Sequence, residues 1–124
     1  MIAALVLALL ALVAPAAAQT PRCGFGQGLE ALREAGRQVQ AGLAADDLLA
    51  GRAAAEAAAE RLEEATRRFA GCGCPRVAEE ARASRGLAEQ ARFETSLDDL
   101  RRPLGRIRFT LEEARRIIDR SGCG

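Results

Sequence analysis

Four cysteines, Cys23, Cys72, Cys74 and Cys123, stand near the start, at the middle and at the end of the chain, with helix-like sequence between them. If residues 23–72 formed one straight helix, its ends would lie roughly 70 Å apart. Cysteine Cα atoms must come within about 7 Å of each other to be bridged. The chain must therefore double back between Cys23 and Cys72, and again between Cys74 and Cys123. An up-down-up-down bundle then gathers all four sulfurs at one end.

Whether those sulfurs pair depends on the compartment. Ile2 to Val13 is wholly apolar, Pro15 breaks the run, and Ala16-Ala17-Ala18 supplies an A-x-A cleavage site before Gln19. This is the outline of a secretory signal peptide over 1–18, which leaves 19–124 as a single small domain. The leader departs from the pattern in carrying no Arg or Lys before Arg22. An uncleaved membrane anchor is the rival reading, but the run is shorter than the roughly 20 residues a span needs. Cys23 is no lipoprotein cysteine, because Thr20-Pro21-Arg22 is polar where small apolar residues are required. Export to an oxidising space makes an even cysteine count read as disulfides. The chain lacks Lys, Asn, His, Trp and Tyr and is dominated by Ala and Arg, the bias of a high-GC bacterial genome. A periplasmic or secreted protein is expected.

The helices follow from apolar spacing. Phe25, Leu29, Leu32, Gly36, Val39 and Leu43 recur at steps of three and four, predicting a helix over 26–41. Gly42 offers a stop, and Asp46 or Asp47 a cap for the next helix. From Asp46 to Ala70, Leu48, Ala55, Leu62 and Phe69 repeat every seven residues, with Gly71 as the stop and Gly51 as a place to bend. Pro75 opens a third helix through Val77, Ala81, Leu87 and Ala91. Thr95 or Ser96 ahead of Asp98-Asp99 resembles a capping box and implies a break near 95, whereas Pro103 and Gly105 imply one nearer 102. Thr110 ahead of Glu112-Glu113 is a third candidate helix start. A turn is expected near 95–103, with its exact position between 95 and 110 left open. Phe93, Leu97, Leu100, Leu104, Ile107, Leu111, Ala114 and Ile118 keep one phase into a final helix ending around Arg120, which Pro103 can kink. No period of two appears. The fold class is all-α: a four-helix up-down-up-down bundle stapled by two disulfides at one end.

Four cysteines admit three pairings. A nearest-neighbour bundle favours Cys23–Cys72 with Cys74–Cys123, and exchanging Cys72 with Cys74 is the close alternative. Each bridge closes a loop of about 50 residues, worth roughly 4 kcal/mol in the chain-entropy treatment. Phe25 and Phe69, each near a cysteine, are expected to pack beneath the bridges.

Chemistry is sparse. Without histidine there is no Ser-His or Cys-His nucleophile. The paired carboxylates Glu63-Glu64, Glu79-Glu80, Asp98-Asp99 and Glu112-Glu113 sit where solvated helix faces are expected. Arg101, Arg102, Arg106 and Arg108 form a local basic cluster, read as a solvated helix end. With 18 Arg against 17 acidic groups, there is no net field to draw nucleic acid or an anionic membrane. The expected role is a non-enzymatic structural or protein-interaction module of the bacterial envelope, with no cofactor, no catalytic or metal residues, and no membrane association after leader cleavage. Its protein partner is not specified by the sequence, and alanine stripes also suit a homodimer. The alternative is a thiol function, either disulfide exchange or soft-metal binding, through Cys72 and Cys74.

Overall fold

The computed structural model describes residues 23–123, so the leader and its cleavage site lie outside the described residues. Four helices follow one another: α1 (Phe25–Leu43), α2 (Leu48–Gly71), α3 (Pro75–Arg92) and α4 (Leu97–Ser121). Each packs along its chain neighbour, while α1 and α4 meet less closely. The described residues contain no strand.

The turns form where local chemistry demands. Asp47 caps α2 by accepting from the Ala50 N–H at 2.8 Å, and Ser96 caps α4 by accepting from the Asp99 N–H at 3.1 Å. The chain between α2 and α3 is a Schellman turn. The Cys74 N–H reaches the Phe69 carbonyl at 2.9 Å and the Gly73 N–H reaches Ala70 at 3.1 Å, with Gly73 at φ 71°. That left-handed conformation makes Gly73, not Gly71, the terminating glycine; Gly71 is still helical. Pro103 lies inside α4, which runs unbroken through it.

The core is built mostly of small residues. In α1 the most buried positions are Gly28, Ala31, Leu32, Ala35, Val39 and Gly42. Phe25, Leu29 and Leu43 sit at the edges of that stripe. Gly51 lies buried within the first turns of α2. A Cβ there would come within 3.1 Å of the Leu100 side chain, so its absence makes room for α4. Phe93 leaves the buried stripe expected of it. It is 69% exposed because it ends α3 at the turn and does not begin the face of α4.

The two helical hairpins repeat each other. A shift of 49 positions carries the Asp47 cap onto Ser96 and Leu62-Glu63-Glu64-Ala65 onto Leu111-Glu112-Glu113-Ala114. It carries the ion pair Glu30–Arg33 onto Glu79–Arg82, and Glu63–Arg67 onto Glu112–Arg116. Most tellingly, it relates two contacts that cross between the hairpins. Arg52 of α2 donates to the Glu94 carbonyl in the α3–α4 turn, at 3.0 Å from Nε and 2.7 Å from Nη2. Arg101 of α4 donates to the Ala45 carbonyl in the α1–α2 turn, at 3.0 Å. Each hairpin thus holds the other's turn, as approximate two-fold symmetry requires.

Candidate functional site

The sequence points first to the cysteine pole, where α1 and α3 begin and α2 and α4 end. Cys23 is bonded to Cys72 and Cys74 to Cys123, with Cα separations of 4.9 Å and 4.7 Å. Each bridge closes one hairpin, and neither crosses to the other. The Schellman turn keeps Cys72 at the end of α2 while Cys74 begins α3, so adjacent cysteines serve different hairpins. Cys74 is fully buried; Cys23, Cys72 and Cys123 are partly exposed. No described cysteine is free. Beneath the first bridge, Phe25 and Phe69 meet edge-on with ring centres 5.4 Å apart, and Phe69 is fully buried. Among the described residues, no group of three or more Cys or acidic side chains is arranged to hold a metal ion.

The carboxylate pairs are engaged along their own helices. Glu64 meets Arg61 at 3.0 Å, Glu79 meets Arg82 at 2.7 Å, and Glu113 meets Arg116 at 3.2 Å. Asp98 and Asp99 lie 3.6 Å from Arg101 and Arg102 respectively. The basic cluster read from the sequence disperses around α4: Arg101 turns to the Ala45 carbonyl, Arg102 to Asp99, and Arg108 to another face.

That face is the α1/α4 seam, which opens into a groove of about 520 Å³. Its floor is Gly36, Val39 and Leu111. Arg33 and Arg37 line one wall and Arg108 and Arg115 the other, with Glu112 between the latter two. On α1 the arginines have carboxylates of their own helix: Arg33 meets Glu30 at 2.9 Å and Arg37 meets Glu34 at 2.8 Å. A hydrogen bond from Gln38 and the adjacent Arg37 hold the Glu34 carboxyl below its ordinary value. Its partnership with Glu34 in turn holds the Arg37 guanidinium above the usual range. On α4, Glu112 is drawn toward Arg116 at 3.9 Å, and Arg108 and Arg115 have no carboxylate within 4 Å among the described residues.

Sequence reasoning missed this groove because its four arginines are scattered over 83 positions of chain. It missed the Arg52 and Arg101 clamps too, although the repeat of Leu-Glu-Glu-Ala would have exposed them as equivalent positions. Beyond the groove, Leu49 and Phe109 are 79% and 72% exposed. Arg92 covers the Phe93 ring at 4.7 Å. No described helix is long and apolar enough to cross a membrane. Comparison with protein-family models, curated proteins and solved structures returned no match.

Proposed function

We propose that the chain is a non-enzymatic, exported protein of the bacterial envelope that serves as a rigid interaction scaffold, with residues 1–18 removed as a signal peptide. The observation that carries this reading is the closure of both hairpins at one pole by Cys23–Cys72 and Cys74–Cys123. Such bridges persist in oxidising compartments and are reduced in the cytosol. A core rich in Ala and Gly buries little apolar area per residue, so covalent closure makes up for the missing bulk.

Thiol titration of the chain purified from the periplasm under alkylating conditions tests the reading. None free is expected. Two or four free thiols would replace the scaffold with a thiol function at Cys72 and Cys74. The mass of the same sample, reduced by residues 1–18, reports leader removal; an intact leader would mean a membrane-tethered protein.

A further inference from the structure

We propose that the α1/α4 groove receives an acidic amphipathic helix of a partner protein; this rests on the reading of the chain as an interaction scaffold. The first support is internal. By the two-fold relation between hairpins, the α1/α4 seam is the counterpart of the α2/α3 seam. At the close-packed α2/α3 seam, α2 carries Ala59 and Thr66, where α4 carries Arg108 and Arg115. Small residues let helices approach, whereas guanidinium groups hold a seam apart and charge it. One seam is built to shut and its counterpart is not.

The charges are also unbalanced on the α4 wall, where Arg108 and Arg115 have no carboxylate within 4 Å among the described residues. Arg33 and Arg37, by contrast, are paired with Glu30 and Glu34 of their own helix. In a paired-helix seam, flanking positions on facing helices usually carry opposite signs. Here arginines face arginines, and no ion pair among the described residues joins α1 to α4. Arg108 and Arg115 are seven residues apart, two helical turns or about 10 Å, which matches carboxylates spaced i, i+7 on an approaching helix.

Gly36 supplies the third argument. A Cβ at this position would meet only the Leu111 side chain, at 3.9 Å, an ordinary van der Waals distance. The bundle's own packing therefore does not require glycine there. The missing side chain leaves room beside the partly buried Leu111 for an apolar knob of a docking helix. Nucleic acid fits less well, because Glu30, Glu34 and Glu112 interrupt the basic surface.

The test uses the disulfide-bonded mature chain and an 18-residue synthetic helix with leucines at steps of three and four flanked by glutamates. Its control is the same peptide with lysine for every glutamate. Fluorescence anisotropy at low salt is expected to show binding of the glutamate peptide alone. Binding should weaken at least about tenfold in an Arg108→Glu/Arg115→Glu variant and in Gly36→Leu, which fills that room. Thermal unfolding of both variants should stay cooperative, so that loss of binding is not loss of fold. Absence of binding, equal binding of both peptides, or indifference to either variant would overturn the proposal. So would sedimentation showing a dimer that Arg108→Glu/Arg115→Glu dissociates, since a second copy would then fill the groove. Free thiols would remove the scaffold reading itself, whereas bonded thiols without peptide binding would remove only this inference.

Discussion

The two hairpins share a plan and differ in bulk. At the positions where α2 places Gly51, Ala54, Ala55 and Ala58, α4 places Leu100, Pro103, Leu104 and Ile107, and all eight are buried. Two small faces would leave a void between the hairpins, and two large ones would collide. The repeat therefore survives in caps and ion pairs, which are local, and in the turn clamps, which ask only for a backbone carbonyl on the other hairpin. It diverges in the core, where the hairpins must complement each other. The second hairpin also gains a polar link. Thr110 donates to the Ile107 carbonyl at 2.9 Å, so its oxygen accepts from buried Ser84 across the α3/α4 seam. The equivalent of Ser84 in α1 is buried Ala35.

Removing one bridge is the harshest way to break the equivalence. Cys23→Ser/Cys72→Ser and Cys74→Ser/Cys123→Ser should each lose about 4 kcal/mol, read by guanidinium denaturation. Because the alanine-rich first hairpin has less apolar bulk, its release should cost more helical signal at intermediate denaturant. Equal, single-step losses would mean that the hairpins unfold only together.

Complementarity of bulk comes next. Leu104→Ala should cost about 2–5 kcal/mol in the same assay. A Cβ at Gly42 would approach the Leu104 side chain to 2.6 Å, so Gly42→Ala alone should destabilise by about 1–3 kcal/mol. In Leu104→Ala the methyl group has room, and the double variant should be more stable than the sum of the single losses predicts. Strict additivity would deny that these two positions share space.

The turn clamps should differ in the same direction as their geometry. Arg52 donates twice to Glu94, whereas Arg101 donates once to Ala45 and its buried Nε has no partner. Arg52→Ala is expected to cost about 1–2 kcal/mol and Arg101→Ala about half as much, measured by thermal denaturation. Amide exchange should rise in the turn opposite each mutated arginine.

The smallest effect concerns α1 alone, since Glu34 and Gln38 have Ala83 and Leu87 as their counterparts in α3. The Glu34 carboxyl is held below its ordinary value by Gln38 and then by Arg37. A lowered folded-state value contributes stability above the unfolded value and loses it as pH falls through the folded one. Gln38→Ala should raise the Glu34 titration midpoint in a carboxyl-detected NMR series.

Much of the architecture could be read from short-range signals. Asp47 and Ser96 announce their helices because a cap is a contact of three residues, and Pro75 because its ring suits a first turn. Cysteine separations imposed the reversals. The groove was not legible, since it depends on how far α1 and α4 stand apart, which no segment encodes by itself. Phe93 misled because its phase agrees with α4 although the chain turns after it.

Helix number, the first two turns and the gathering of sulfurs at one pole were thus set by the amino-acid order alone, through propensity, capping and the reach of a disulfide, whereas the last turn had three candidate positions. The tertiary structure decided which cysteines pair, which seam closes and where four distant arginines meet. Those outcomes depend on the simultaneous packing of four helices, in which a glycine on one answers a leucine on another far along the chain.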